Sequence, residues 1–313
     1  MKTKLSSIAI ALAFALSGSA AFAGDNNTLT TTQEGVGQNA TLNQLSNTHS
    51  AVTLSQAGSH HTATVTQSGS TDSQIALTQR FNTNFATIEQ SAVTQSSITV
   101  LQDAQYERLN IDQSNTTNST AASSQYGFNS SSNITQENAA NTNGSVYQWG
   151  DFHAATLVQT DTLNATAALS QVGDNHASSL VQLATTDASA QLSQTGSRNS
   201  ITARQENGSA LVLTVTQTGL DNLASVLQSG VGASASITQS NGNGNNANIN
   251  QSGGYNEVIL LQNGSSNFAN LTQTSTATSR ASQNFIDLTQ NGNFNSMTIN
   301  QNGANGYVKI TQN

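Results

Sequence analysis

The 313-residue chain has no cysteine and no proline. Without cysteine no disulfide can staple the fold. Without proline no backbone donor is missing anywhere, which suits uninterrupted strand pairing. Charge is scarce: 8% of the residues are Asp, Glu, Lys or Arg, where ordinary domains have about 25%. The balance is acidic, 16 acids against 8 bases, and no basic patch exists to neutralise phosphates, so nucleic acid is not expected as a partner. Catalytic signatures are missing too. The chain has no Gly-x-Ser-x-Gly elbow, no phosphate loop and no His-x3-His or His-Glu-x2-His pair. The Gly-Asn run at 241–246 reads as an elongated turn. His61, His153 and His176 read as substitutes for Ser or Asn in inward polar rows. Acids are too sparse for Gly-Gly-x-Gly-x-Asp calcium rolls. No enzyme activity, cofactor or metal is expected.

Only one long apolar run is present, and it is short of a membrane span. Residues 1–23 combine a basic head (Lys2, Lys4), an apolar run at 8–16 and the small-x-small triplet Ala21-Phe22-Ala23. That pattern predicts a secretory signal peptide cut after Ala23. Removing it leaves six basic and sixteen acidic residues, a net charge near −10.

What fills the chain is repetition. Glutamines 33, 44, 56, 67, 79, 90, 102, 113, 125, 136, 148, 159, 171, 182, 194, 205, 217 and 228 follow one another at strictly alternating steps of 11 and 12. The series continues less strictly through Gln239, Gln251, Gln262, Gln273, Gln290, Gln301 and Gln312. A period of 23 made of two similar halves marks a chain that winds into coils and stacks like on like. Two residues before the glutamine stands Val, Ile or Leu in 22 of 25 places, Thr31, Ser123 and Ala203 being the exceptions. Four before, the row is mixed apolar, as at Ala40, Val52, Ile75, Ala247 and Met297. Six before, it is small or polar: Ser50, Ser73 and Ser96 early, and later Asn199, Asn222, Asn245, Asn256, Asn267, Asn284 and Asn295. The positions between are mostly Thr, Ser and Asn, such as Thr64 and Thr66 around Val65.

Alternation over about seven residues predicts a half-buried strand. Glycine then recurs two places after the glutamine, at Gly58, Gly69, Gly173, Gly196, Gly219, Gly264, Gly292 and Gly303 among others, where it supplies the positive φ of a tight turn. Strand, turn, strand, turn makes one coil. The expected fold is an all-β, two-strands-per-coil β-solenoid, a cross-β-like stack of β-arches with about 12 coils of 22–23 residues over 33–313, preceded by a short segment at 24–32. Stacked Gln56, Gln67, Gln79, Gln90, Gln102 and Gln113, and later Gln251, Gln262, Gln273, Gln290, Gln301 and Gln312, would form an amide ladder. Ser and Asn rows would do the same, and the aliphatic rows would exclude water. A one-residue slip would turn every glutamine outward, so the ladders fix register.

The half-repeats 251–262, 262–273 and 290–301 follow Gln-x-Gly-x-x-Asn-x-Ala-x-x-x-Gln with small departures, and the other half reads Ser-x5-Gln at Ser50, Ser73 and Ser96. The chain thus resembles curlin repeats, the building blocks of curli, the extracellular functional amyloid of bacterial biofilms. The resemblance covers nearly the whole chain after residue 23. It implies a secreted subunit that polymerises into cell-surface fibres, mediates adhesion and aggregation, and serves as major subunit or nucleator. Implied partners are other copies of itself, a curlin-like co-subunit or nucleator, and an outer-membrane curli-type export pore with accessory proteins. The chain departs from the family in having more than twice the usual repeats and no Gly-rich segment at 24–32. The alternative from the residues alone is a non-polymerising β-solenoid adhesin, or an ice-binding solenoid with Thr-x-Thr rows such as Thr214 and Thr216.

Irregularities are expected at a bulged loop near 274–283, where the glutamine step is 17. Tyr126, Phe128, Tyr147, Trp149 and Phe152 should cluster at turns of alternate coils. Asp103, Asp112, Asp161, Asp174, Asp187 and Asp221 are read as gatekeepers against premature assembly. The sequence ends in a strand pattern at 307–312 with no polar cap, which leaves an edge able to template another chain.

Overall fold

The computed structural model describes residues 17–313, so the basic head and the whole apolar run of the expected signal peptide lie outside the described residues. The alternating pattern folds as strand throughout: 26 strands and one short turn of 3-10 helix at Arg280–Ser282. Two compact units divide the chain, Met1–Trp149 and Gly150–Asn313. In the first, odd-numbered strands from β1 (Ser17–Asp25) and β3 (Asn39–Thr48) to β11 (Ser131–Glu137) form one parallel sheet. Even-numbered strands from β2 (Thr28–Val36) to β12 (Asn143–Asp151) form the other. The second unit repeats the plan, with β13 (Ala154–Thr160) to β25 (Ser296–Gly303) in an odd sheet and β14 (Thr166–Asp174) to β26 (Tyr307–Gln312) in an even one. Each unit is a β-solenoid with two strands per coil, as the repeat predicts.

Register is set like on like. In the first unit Gln33, Gln56, Gln79, Gln102 and Gln125 are successive partners, as are Leu54, Leu77 and Val100. In the second, Gln171, Gln194, Gln217, Gln239, Gln262, Gln290 and Gln312 follow the same rule. The core of each unit lies between its sheets: Leu54, Ile88, Ile111, Leu169, Leu192 and Ile237 are at most 1% exposed. Their outward neighbours stay half-buried or exposed, the alternation that a sheet with one wet face requires.

From β2 to β24 (Asn284–Asn291) the strands of the even sheets are eight to ten residues long. They run past the glutamine and through the glycine two places on, so the true turn shrinks to about two residues. The cause is close stacking: Gly173 pairs with Gly196 and Gly196 with Gly219 in the parallel ladder. A Cβ on Gly173, at φ +121°, would stand 1.9 Å from the Gly196 carbonyl oxygen. The left-handed turn residue comes two places later and is usually not glycine, as at Asn175 and Asp221. The 17-residue step is accommodated by a loop that starts later than the expected 274. β23 (Phe268–Thr276) continues in the ladder, and the extra residues form a loop at 277–283 that contains the 3-10 turn, with Gln283 donating to Glu257 at 2.9 Å; Gln262 still meets Gln290, 28 residues on, in register. Shorter coils of 22 residues occur at Gln217–Gln239 and Gln251–Gln273.

Glycine stacking yields a graded prediction. Gly173→Ala must push apart two coils and should lower unfolding stability by more than about 2 kcal/mol. At Gly303, φ +106°, an added Cβ meets nothing within 4 Å, so Gly303→Ala should cost only the conformational strain, about 1 kcal/mol. Denaturant midpoints of the two variants, measured on dispersed chain, check the order.

Candidate functional site: polar ladders and open strand edges

A glutamine inside a dry core must satisfy both ends of its amide, at a cost of about 1–3 kcal/mol for each group left bare. Here the next coil supplies the partner. In the first unit Nε2 of each glutamine donates to Oε1 of the following one along 33–56–79–102–125–148 and 44–67–90–113–136, at 2.6–3.0 Å. The second unit continues the arrangement along 159–182–205–228–251–273–301 and 171–194–217–239–262–290–312, at 2.7–3.0 Å. The second amide proton goes to a backbone carbonyl at the start of the preceding strand: Gln125 to Arg108, Gln136 to Thr120, Gln217 to Ser200 and Gln228 to Val212, at 2.9–3.1 Å. That bond fixes which amide atom is nitrogen, because an oxygen there would face another oxygen.

The position six before the glutamine makes a second kind of ladder. In the odd sheets its side chain accepts the backbone N–H of its equivalent one coil on. Asn199 Oδ1 takes Asn222 N at 2.9 Å, Asn222 takes Asn245 N at 3.1 Å, Asn245 takes Asn267 N and Asn267 takes Asn295 N, both at 3.0 Å. Its amide N–H donates to the carbonyl four residues back, as from Asn199 to Thr195 at 3.1 Å. In the first unit's even sheet Asn27 Oδ1 takes Ser50 N at 3.1 Å, and the next acceptors are hydroxyls: Ser50 Oγ takes Ser73 N, Ser73 takes Ser96 N and Ser96 takes Ser119 N, at 3.2–3.3 Å.

The Asn row read as one in the sequence is therefore two. Asn199, Asn222, Asn245, Asn267 and Asn295 belong to the odd sheet, whereas Asn256 and Asn284 are partners in the even one. Ahead of Asn256 the even column is apolar, with Ala165, Ala188, Leu211 and Ala233 forming a buried cluster. A neighbour-by-neighbour reading misses this plug; counting residues by sheet parity finds it.

Histidine fits the odd column because a neutral ring offers the same two functions. His61 Nδ1 accepts Asn84 N at 3.2 Å while Nε2 faces the Ala57 carbonyl at 3.2 Å. His176 does likewise with Asn199 N at 3.2 Å and Val172 O at 3.0 Å. Burial holds both rings below the ordinary imidazole pKa of 6.5, their backbone hydrogen bonds opposing it only in part. His153 stacks on His176 at 5.2 Å, 6° from parallel. Gln38 and Glu107 also occupy the column, both buried, and neither stood out in the sequence.

On the outer faces the acids do varied work. Asp103 faces Arg80 at 3.5 Å and Asp221 pairs with Arg198 at 2.7 Å, each one coil apart. Asp112 lies beside Glu89 in the ladder, and burial together with Glu89 and Glu137 raises its pKa above the ordinary carboxyl value. No group of three or more His, Cys, Asp or Glu suited to a metal occurs among the described residues. The aromatic cluster sits on consecutive coils rather than alternate ones: Tyr106 meets Phe128 at 5.4 Å, and Tyr126 lies 5.8 Å from Tyr147 and 6.4 Å from Trp149.

Every sheet has open ends. β2 and β26 are terminal in the even sheets, β1 and β25 in the odd ones. Gln301 and Gln312 donate only to the carbonyls of Phe285, at 3.1 Å, and Ser296, at 3.4 Å. Oε1 of Gln33 and of Gln44 is buried without a partner. The register neighbour of Gln44 in β1 is Phe22, a residue type with no amide.

The imidazole column predicts acid sensitivity. The folded state favours neutral His61 and His176, so as pH falls through 6.5 the unfolded chain binds protons first and stability drops. Above that pH their contribution is constant. The denaturant midpoint of dispersed chain should fall from pH 7.5 to pH 5. Replacing His61, His153 and His176 together by Asn should at least halve that slope.

Among curated proteins none matches the chain. The sequence model of the curlin associated repeat matches residues 24–69, 219–253 and 242–274, stretches that fall on strands carrying the glutamine ladder. Over those stretches the chain is similar to the curlin associated repeat, and there it stacks with two strands per coil.

Proposed function

We propose that this chain is a secreted structural subunit that assembles with itself into curli-like amyloid fibres of an extracellular matrix. The observation that carries this reading is the state of the ends. Unpaired parallel strands terminate each sheet, and the glutamine ladder stops there with bare acceptors on one side and spare donors on the other. An unpaired edge is a template for more strand, and a ladder of identical amides favours addition of the same sequence. The repeat match supports the structural class. The signal-peptide pattern at 1–23 supports export, with β1 lost on cleavage after Ala23. By the same resemblance a curlin-like nucleator and an outer-membrane pore would act with it, and the fibres would serve adhesion and cell aggregation.

Chain from residue 24 onward, freshly freed of denaturant, should show thioflavin T fluorescence that rises after a lag, and preformed fibres should abolish the lag. A flat trace from a stable monomer would instead indicate a non-polymerising adhesin. Substitution at the ends should act on growth. Gln301→Ala or Gln312→Ala should slow seeded elongation several-fold, whereas Gln205→Ala, which bares two buried amide groups, should mainly lower stability. Equal elongation rates for end and middle variants would contradict templating by the ends.

A further inference from the structure

The ends do more than invite addition; they specify how the next copy sits. Resting on the self-assembly reading above, we propose that copies join head to tail with a half-turn between them. β25 of one copy then pairs with β2 of the next, β26 pairs with β3, and the odd sheet of each copy continues as the even sheet of its neighbour.

Polarity follows from the amides. Every ladder bond within both units runs from Nε2 of one glutamine to Oε1 of the next in chain order. The last glutamines, Gln301 and Gln312, keep a donor to spare. The first, Gln33 and Gln44, keep a bare buried acceptor. Donor end against acceptor end completes two hydrogen bonds; either end against its own kind faces donor with donor or acceptor with acceptor.

The half-turn follows from the climb. Glutamines of both sheets donate to the start of the preceding strand, as Gln228 of the odd sheet does to Val212 and Gln239 of the even sheet to Leu223. Each strand therefore sits half a strand spacing beyond the one before. With β26 half a spacing beyond β25, and β2 half a spacing before β3, pairing even with even would hold the odd strands two spacings apart. Pairing β25 with β2 and β26 with β3 closes both sheets at one spacing.

Three features of the sequence suit that arrangement. Gly303, two places after Gln301, has nothing within 4 Å of its missing Cβ, and its register partner would be Gly35, so glycine stacks on glycine as it does inside the even sheets. The unrotated partner would be Ser46. The step from Gln301 to Gln312 is 11 residues, as is the step from Gln33 to Gln44, so the two turns superpose. Asn27 and Asn295 both stand six places before their glutamines and would continue the asparagine column. The seam also needs the edge of β3 free of β1, which cleavage after Ala23 would provide.

Cysteine pairs read the seam directly, since the chain has no cysteine of its own. Thr32 and Asn300 are exposed and each precedes its ladder glutamine. Across the proposed seam their Cα atoms would be about 4.8 Å apart, within the disulfide range of about 4.4–6.8 Å. Fibres of the T32C/N300C chain, grown reduced and then oxidised, should dissolve in formic acid to a ladder of disulfide-linked multimers. N43C/T311C reads the other sheet and should do the same, and T32C/T311C should stay monomeric. A ladder from T32C/T311C, or fibres that cross-link in none of the three, would overturn the half-turn. Dimers from N300C alone would overturn the polarity. Wild-type chain that forms no fibres would remove the self-assembly reading itself, and this inference with it.

Discussion

The structure depends on one constraint: a primary amide buried in a dry core has to be satisfied on both sides. A single buried glutamine would be a liability of about 1–3 kcal/mol for each bare group. A column of them is self-consistent, because Nε2 of each one donates to the Oε1 of the next at hydrogen-bond distance. Satisfaction requires identical residues at identical height in every coil, so the repeat length, the parallel pairing and the like-on-like register all follow. Val, Ile and Leu rows supply most of the burial, yet they would tolerate small slips; the amides would not.

The column six residues before the glutamine shows how far chemistry can vary when only one function is required. Its task is to accept a backbone N–H from the coil above, and usually to return a proton to a carbonyl four residues back. Asparagine and a neutral histidine both do this, and a serine hydroxyl accepts the same bond in the even sheet. Where the even column becomes Ala165, Ala188, Leu211 and Ala233, the glutamine and aliphatic rows continue unbroken beside it. The glutamine position has no such tolerance along the chain, since its amide must bond upward, downward and across at once.

The fold was legible because its determinants are periodic and local: the glutamine step, the aliphatic row and the glycine all recur in one half-repeat. What stayed hidden depends on parity, which only counting through the whole chain reveals. Asn256 and Asn267 occupy the same place in nearly identical half-repeats yet lie in different sheets. Buried Gln38 and Glu107 were hidden because their residue types usually mark surface. Strand length was underestimated because glycine signals a turn, whereas here Gly173 and Gly196 stay in the ladder so that their backbones can stack.

A solenoid of this kind has no interaction that distinguishes folding from growth. Each coil contacts only its neighbours, so adding a coil within a chain and adding a copy at its end complete the same bonds: an amide to an amide, a strand to an edge. What separates them is connectivity. Within the chain the next strand is held close by a connection of at most seven residues, and across an end it must arrive by diffusion. The terminal coils therefore carry information that interior coils do not need. From Gln33 to Gln228 steps of 11 and 12 alternate. From Gln228 on the odd half takes on even-half traits: glycine stands two places after Gln228, Gln251 and Gln301, and the step from each to the next glutamine is 11 residues. That convergence makes the last odd half resemble the first even half, Gln33 to Gln44, which is the match that a joint between copies would use.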